Sequence, residues 1–347
     1  MEFCKCLELW YLDKKRDLPW RKTKDPYTIW LSEIILQQTR VAQGMSYFLK
    51  FIDAFPTVFD LANANEETVL KLWQGLGYYS RARNLHFSAK YIVNELNGVF
   101  PKNYKSLLKL KGVGDYTASA ISSICYNEAA AVVDGNVYRV LSRYYGVDTP
   151  INSTKGIKVF KELAQEVLDT ENPGQHNQAI MDFGAMQCKP TNPDCHVCPF
   201  MSSCKAFETN QVSLLPIKEK KIKIKKRYFN FLVFQSVEGK TLLEQRIGKG
   251  IWENLYQFPL IETEASMSLD EFVENEQLAN FQPHVKKLKL YNQKEWVHKL
   301  SHQHLFVKFW VVGSEGVSSD FINYESVVEY PVPRIIHKFL EEFNFEV

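Results

Sequence analysis

Cys188, Cys195, Cys198 and Cys204 share one short stretch, Cys188-KPTNPD-Cys195-HV-Cys198-PFMSS-Cys204, and this spacing constrains the fold more than any other feature of the chain. Pro190, Pro193 and Pro199 punctuate it, so it reads as a turn-rich loop able to bring four thiols to one centre. The chain has 7 cysteines, an odd number, and the crowding of four of them suits a metal site in a reducing compartment better than a disulfide framework. Zinc also accepts four thiolates, usually from two separated Cys-x-x-Cys knuckles, but only one such pair, Cys195 and Cys198, is present. An iron-sulfur cubane takes thiolates spread around a wider core, and the uneven spacing suits it better. Cys4, Cys6 and Cys125 lack ligand-like neighbours and read as small apolar residues.

At 347 residues the chain is long enough for two domains or one large one. Lys plus Arg total 42 against 40 Asp plus Glu, so a nucleic-acid face must be a local arrangement and not a global charge. The start has no signal-peptide pattern and no apolar run is long enough for a membrane span, which leads to the expectation of a cytoplasmic protein with no membrane partner. Residues 1–205 carry helical periodicity, as in Ile29, Leu31, Ile34 and Ile35. Asp25-Pro26 reads as the cap and first turn of the helix that bears Glu33. The stretch 206–227 reads as a linker, with seven basic residues and one Glu between 218 and 227, although such a run is also able to contact phosphate. Beyond it, YFNFLVFQS, KTLLEQR, LYQFPL, EWVHKLS and HLFVKFWVV read as strands, and SLDEFVENEQLA and PRIIHKFLEEF as two helices. Residues 228–347 therefore form a separate α+β domain.

The segment LLKLKGVGDYTASAISSI combines an amphipathic stretch, a turn at Gly112-Val113-Gly114 and a second helix capped by Asp115. Gly112 and Gly114 let the backbone approach a ligand and present free amides to phosphate, as in a helix-hairpin-helix element over about 103–126. A plain connecting turn would carry the same glycines. In AAAVVDGNVYRVLSR, Asp134 lies between an extended apolar run and a helix starting near Asn136, which makes it a helix cap. The helix amides would keep that carboxylate ionised, as a group beside a developing cation needs to be. Glu33 has apolar neighbours that would raise its pKa and favour a protonated general acid, although a half-buried helical Glu gives the same pattern. Two carboxylates in unlike environments make the acid and cation-stabilising pair of glycosidic cleavage.

Taken together, the hairpin, VDGNV and the four-cysteine loop resemble the endonuclease III superfamily over about residues 5–205. LPWR at 18–21, WLSEIILQQTRV at 30–41 and WQGLGYYSRARNL at 73–85 resemble the MutY-type adenine glycosylases within it. The resemblance implies an all-α helix-hairpin-helix glycosylase domain with an iron-sulfur cluster loop, followed by an α+β Nudix-like domain. LLEQRIGKGIWENLYQFPL is similar to the second and third strands of that domain, and its pyrophosphohydrolase box is missing, so recognition and not hydrolysis is implied. Lyases of the superfamily carry a Schiff-base lysine two residues after the second hairpin glycine. Tyr116 occupies that place here, which implies a monofunctional glycosylase.

The implied partner is double-stranded DNA containing adenine opposite 8-oxoguanine or guanine, bound by a monomer, with one 4Fe-4S cluster on Cys188, Cys195, Cys198 and Cys204 bracing a loop for DNA contact. The alternative is an endonuclease III-like enzyme acting on oxidised pyrimidines. By resemblance, Glu33 protonates adenine, Asp134 stabilises or traps the sugar cation, and Tyr116 and Asn136 steady that centre. Leu36, Gln37, Gln38 and Thr39 enter the base stack and Tyr78 wedges on the other side. Arg16, Trp20, Arg21, Trp30 and Gln178 are candidates for the adenine pocket, Trp30 being equally readable as core. Leu300-Ser301-His302 stands where the family usually has Phe-Ser-His and is implied to contact the base opposite adenine.

Overall fold

Asp25 ends an extended segment and its carboxylate accepts a hydrogen bond from Thr28 N, so the helix Pro26–Leu36 begins with the cap and the N-terminal proline its sequence signals. Tyr27 and every residue from Ile29 to Ile35 are buried, Glu33 among them. The helix packs against Val41–Ala54 on one side and Asp115–Tyr126 on another, so it is apolar nearly all round. The computed structural model describes residues 2–219, 224–314 and 319–345. The chain divides into two units, Met1–Asn63 with Asn84–Lys220, and Ala64–Arg83 with Lys221–Val347.

Among the described residues, the regular elements of the first unit are all helical. The helix Pro173–Met186 packs against Glu2–Lys14, Asp115–Tyr126 and Gly135–Tyr145. Glycine permits that closeness. A Cβ on Gly184 would lie 2.6 Å from Cβ of Asn136 and 2.9 Å from its carbonyl oxygen, so the helix surface at this point is backbone against backbone.

In the second unit, Lys225–Ser236 and Gln303–Ser314 pair in parallel at the centre of a five-stranded sheet. Leu260–Thr263 flanks the first antiparallel, and Lys287–Leu290 and Trp296–Lys299 flank the second. Phe229–Phe234 is buried without interruption, as a strand covered on both faces must be. Neighbouring residues of the partner strand serve opposite faces: Phe309 stacks on Phe339 of the helix Arg334–Glu342 at 4.1 Å, and Trp310 on Phe272 at 4.3 Å. The expected α+β character holds, with different boundaries. SLDEFVENEQLA gives a short helix, Leu269–Val273, capped by a Ser268–Glu271 box, and then the 3-10 helix Glu276–His284. LYQFPL splits into Tyr256–Gln257 and Leu260–Thr263 around Pro259, which has no N–H for a ladder. KTLLEQR likewise splits, into Lys240–Leu242 and Glu244–Gln245. Lys287–Leu290 and Phe321–Asn323 are strands that the aromatic and branched-residue pattern did not signal.

The expected linker, 206–227, is shorter than its charge suggested. Ala206 belongs to the helix Lys205–Glu208, while Lys225–Arg227 already pair with Gln303–Leu305. Positions 220–223 of that stretch lie outside the described residues. Ala64–Arg83, which the sequence reading left inside a single domain over 1–205, groups with the C-terminal unit.

Replacing Gly184 with Ala should lower stability by about 1–3 kcal/mol in urea unfolding, the usual cost of forcing a methyl into a filled helix contact. An unchanged midpoint would mean that these two helices have room to part.

Candidate active site

Glu33 is 9% exposed and lies within hydrogen-bonding reach of the Tyr116 phenol, which is itself 3.2 Å from Sδ of Met181. Burial pushes the Glu33 carboxyl up to about 7; the Tyr116 hydrogen bond and Arg21 oppose this, and the charge of Asp134 reinforces it. Asp134 is the N-cap of Gly135–Tyr145, its Oδ1 accepting from Asn136 N and Val137 N at 2.8 Å each and its Oδ2 from Asn136 Nδ2 at 2.8 Å. The amides do not decide its charge alone, contrary to the sequence expectation. Burial raises its pKa above the ordinary carboxylate range, against those hydrogen bonds and Arg139. Within the pair, Asp134 has three N–H donors where Glu33 has a phenol, so Asp134 ionises first and Glu33 keeps the proton.

Two arginines the sequence reading did not single out organise what surrounds this pair. Arg139 donates from Nη2 to Asn136 Oδ1 at 2.8 Å and to Gly184 O at 2.5 Å, and from Nε to Cys188 O at 2.7 Å. Arg143, one turn on, donates to Cys188 Sγ at 3.4 Å, Lys189 O at 2.7 Å and Pro190 O at 3.2 Å. Cys188, Cys195, Cys198 and Cys204 line one apolar cavity together with Arg143, Phe183 and Phe200. Burial pushes the Cys198 thiol up to about 12 and raises Cys195 and Cys204 as well, so a cation bound among them would displace their protons to water. Among the described residues, no three His, Cys, Asp or Glu side chains are grouped closely enough to hold a metal ion.

The five candidates for an adenine pocket divide. Arg16, Arg21 and Gln178 line a cavity of about 550 Å³, with the Tyr11 hydroxyl donating to Gln178 Oε1 at 2.9 Å. Both arginines grip the fully buried Asp182, Arg16 Nε and Arg21 Nη2 each reaching it at 2.8 Å. Burial would raise the Asp182 carboxyl, but the hydrogen bonds and charges of Arg21 and Arg16 hold it below the usual range. Trp20 and Trp30 are buried, packed edge-on against Phe48 and Phe100, and are not among the residues lining that cavity. Trp30 is fully buried. Its indole N–H has no hydrogen-bond partner among the described residues.

Leu36 is the last residue of the Glu33 helix, and the chain leaves it through Gln37, Gln38 and Thr39. Gln37 Nε2 donates to Thr117 Oγ1 at 3.1 Å and Thr39 Oγ1 to Gln37 O at 3.2 Å, whereas Gln38 is exposed at φ +54°. Gly112 has φ +83° and a Cβ there would meet Asn84 at 2.8 Å, so only glycine fits. Gly114 is extended, is itself the N-cap of Asp115–Tyr126, and has nothing within 4 Å of where a Cβ would stand. Asp115 is therefore the first helical residue and not the expected cap; its carboxylate accepts from Tyr104 Oη and Lys161 Nζ.

In the second unit, Tyr78 adopts φ +49°, is 48% exposed and places its Oη 2.7 Å from Ser301 Oγ. Tyr78, Leu300, Ser301 and His302 share the wall of a cavity of about 640 Å³ with Trp252, whose ring lies 5.8 Å from His298. The sequence reading placed Tyr78 and Leu300-Ser301-His302 in different domains and did not select Trp252.

The family description HhH-GPD superfamily base excision DNA repair protein matches residues 31–167, and that of the NUDIX domain matches 230–342. An adenine DNA glycosylase of Buchnera aphidicola subsp. Baizongia pistaciae (strain Bp) is 35% identical over 346 residues, covering 95% of this chain and 94% of that protein. This chain belongs to the adenine DNA glycosylase family. The human adenine DNA glycosylase is 44% identical over 206 residues, 57% of this chain and 38% of that protein. Among solved structures, a thermostable thymine-DNA glycosylase aligns with a TM-score of 0.56 at 31% identity, over 60% of this chain and 95% of that one. An endonuclease III–DNA complex shares the fold, with a TM-score of 0.53 at 20% identity over 60% of this chain and 95% of that one. In this adenine glycosylase family member the residue two after Gly114 is Tyr116, a phenol.

The raised Glu33 carboxyl fixes the sign of a pH effect. The unfolded chain releases this proton at its ordinary pKa near 4.5 and the folded chain near 7, so between the two the unfolded state binds fewer protons and stability falls as pH rises. Glu33→Gln removes that loss. Its urea-derived stability relative to the wild type should improve by about 2 kcal/mol from pH 5 to pH 8; a difference independent of pH would place the proton elsewhere.

Proposed function

We propose that the protein is a monofunctional DNA glycosylase that releases adenine paired with 8-oxoguanine or guanine, acting as a monomer in the cytoplasm. The single observation that carries the mechanism is a buried carboxyl poised near neutrality, Glu33, beside a second carboxylate held on helix amides, Asp134. The stacked base cannot be reached in the duplex, so the adenosine turns out of the helix at a cost of a few kcal/mol. Glu33 donates its proton to nitrogen 7 of adenine, which makes the base a neutral leaving group and leaves the sugar as an oxocarbenium ion. Asp134, ionised and fixed by Asn136 and Val137, stabilises that cation. Water adds to the sugar carbon, and the proton it releases restores Glu33. Tyr116 has no amine for a Schiff base, so the chemistry ends at hydrolysis.

Gln37 to Thr39, at the end of the Glu33 helix, and the hairpin glycines are the groups we assign to the base stack and to phosphate. Tyr78 and Ser301, joined by their hydroxyl contact, with Leu300 and His302 beside them, support reading of the base across from adenine. The four cysteines fit one 4Fe-4S cluster: they share one apolar cavity and none is committed to a disulfide. When bound, that group supplies a cationic core that takes the four thiolates and ties the loop into one piece. Arg143 and Arg139 hold the loop's first residue from the helix side. No helix of the described residues is long and apolar enough to cross a membrane.

Single-turnover assays on adenine opposite 8-oxoguanine, adenine opposite guanine, and oxidised pyrimidines test the substrate. Adenine should be released from the first two and pyrimidines left intact, and Glu33→Gln and Asp134→Asn should each slow release by at least about a hundredfold. The wild-type rate should fall as pH rises through about 7, where Glu33 loses its proton. Pyrimidine release in preference to adenine would sink this reading. Metal analysis of the purified protein should find about four iron atoms and four acid-labile sulfides per chain. One zinc ion in their place would remove the cluster from the account.

A further inference from the structure

The hairpin that would receive a DNA phosphate carries an acid at its mouth. Asp115 follows Gly114 directly as the first residue of the helix Asp115–Tyr126, and its side chain is 46% exposed. The open space beside Gly114 and the first amides of that helix are what the hairpin can offer to an anion. A carboxylate there suits the helix alone, since it faces the positive end of the dipole, but it repels a phosphate arriving at the same amides. A second charge is held against it. Lys161, from the helix Thr154–Glu166, donates to Asp115 Oδ1 and also to Tyr104 Oη at 3.2 Å. The Tyr104 hydroxyl donates to the same carboxylate oxygen, and the ammonium lies 5.3 Å from the centre of the Tyr104 ring. Three helices, one before the hairpin, one after it and one from elsewhere in the unit, thus meet in a neutral cluster beside the phosphate position.

We infer that Lys161 is a positioning residue for DNA binding, neutralising Asp115 so that the hairpin amides can accept a phosphate. The inference rests on the reading of the chain as a DNA glycosylase. Lys161 and Asp115 are 50% and 46% exposed, and ion pairs so open to water contribute little to folding stability, so a structural role alone does not account for the arrangement. Lys161 stays tied to Asp115 and Tyr104, so it cancels one charge and is not spent as a phosphate contact of its own. Without Asp115's charge the ammonium becomes free to make one.

The test compares wild type, Lys161→Met, Asp115→Asn and the double variant for binding to an undamaged duplex over a range of salt, with urea unfolding alongside. Lys161→Met leaves the carboxylate's charge uncompensated, with only the Tyr104 hydroxyl on it, and should weaken binding by about tenfold. Asp115→Asn should tighten it by about threefold and steepen the log–log salt dependence by about one. The double variant should return to within about threefold of the wild type. A double variant as weak as Lys161→Met overturns the inference, as does an Asp115→Asn protein unchanged in both affinity and salt slope. Binding that falls only in step with stability assigns the cluster to the fold and overturns it too. Adenine release by the wild type in single turnover is measured on the same preparations. Its absence would defeat the glycosylase reading, while the binding comparison still decides the role of Lys161.

Discussion

A carboxylic acid inside a hydrophobic helix is the constraint around which the helical unit is arranged. Glu33 lies on a helix whose neighbours are all buried, where an ionised carboxylate would cost several kcal/mol. The fold meets three such groups in three ways. Glu33 keeps its proton, Asp134 is held by backbone and side-chain N–H groups at a helix start, and Asp182 is clamped between two guanidiniums. The first two share a charge interaction and differ in donors, so their protons are held unequally. The third fixes Arg16 and Arg21 at the cavity that Gln178 also lines.

The helix Gly135–Tyr145 carries the coupling between this site and the cysteine loop. Its first turn holds Asp134 and Asn136. Arg139 and Arg143, four residues apart and so on one face, reach the carbonyl and sulfur of Cys188, and Arg139 also holds Asn136. Gly184 on the crossing helix lets the backbones close on Asn136. The loop is thus anchored to the same helix that presents Asp134, although the two are far apart in sequence.

In the second unit a Nudix-like sheet lacks the acidic box of hydrolases and keeps a different asset. Tyr78, from the short segment Ala64–Arg83, meets Ser301 at the start of the strand Gln303–Ser314, and both Tyr78 and Trp252 adopt positive φ.

Much of the site was legible because its signals are local. Asp25-Pro26 and Asp134 each act over a single turn, and the helices they begin stand where the sequence puts them. Glu33 was legible through the apolar run around it. Long-range packing hid the rest. That the rings of Trp20 and Trp30 meet Phe48 and Phe100 follows only from the packing of helices around them. Arg139, Arg143 and Asp182 gave no signal, because a buried charge is recognised by its partner, and the partners lie 49, 45 and 166 residues away. The strands Lys287–Leu290 and Phe321–Asn323 and the transfer of Tyr78 to the second unit likewise depend on neighbours distant in the chain. Sequence by itself determined which chemical groups this protein has and which turn each begins. Tertiary structure decided which of them lose water, and burial and partners, more than residue type, set their charge.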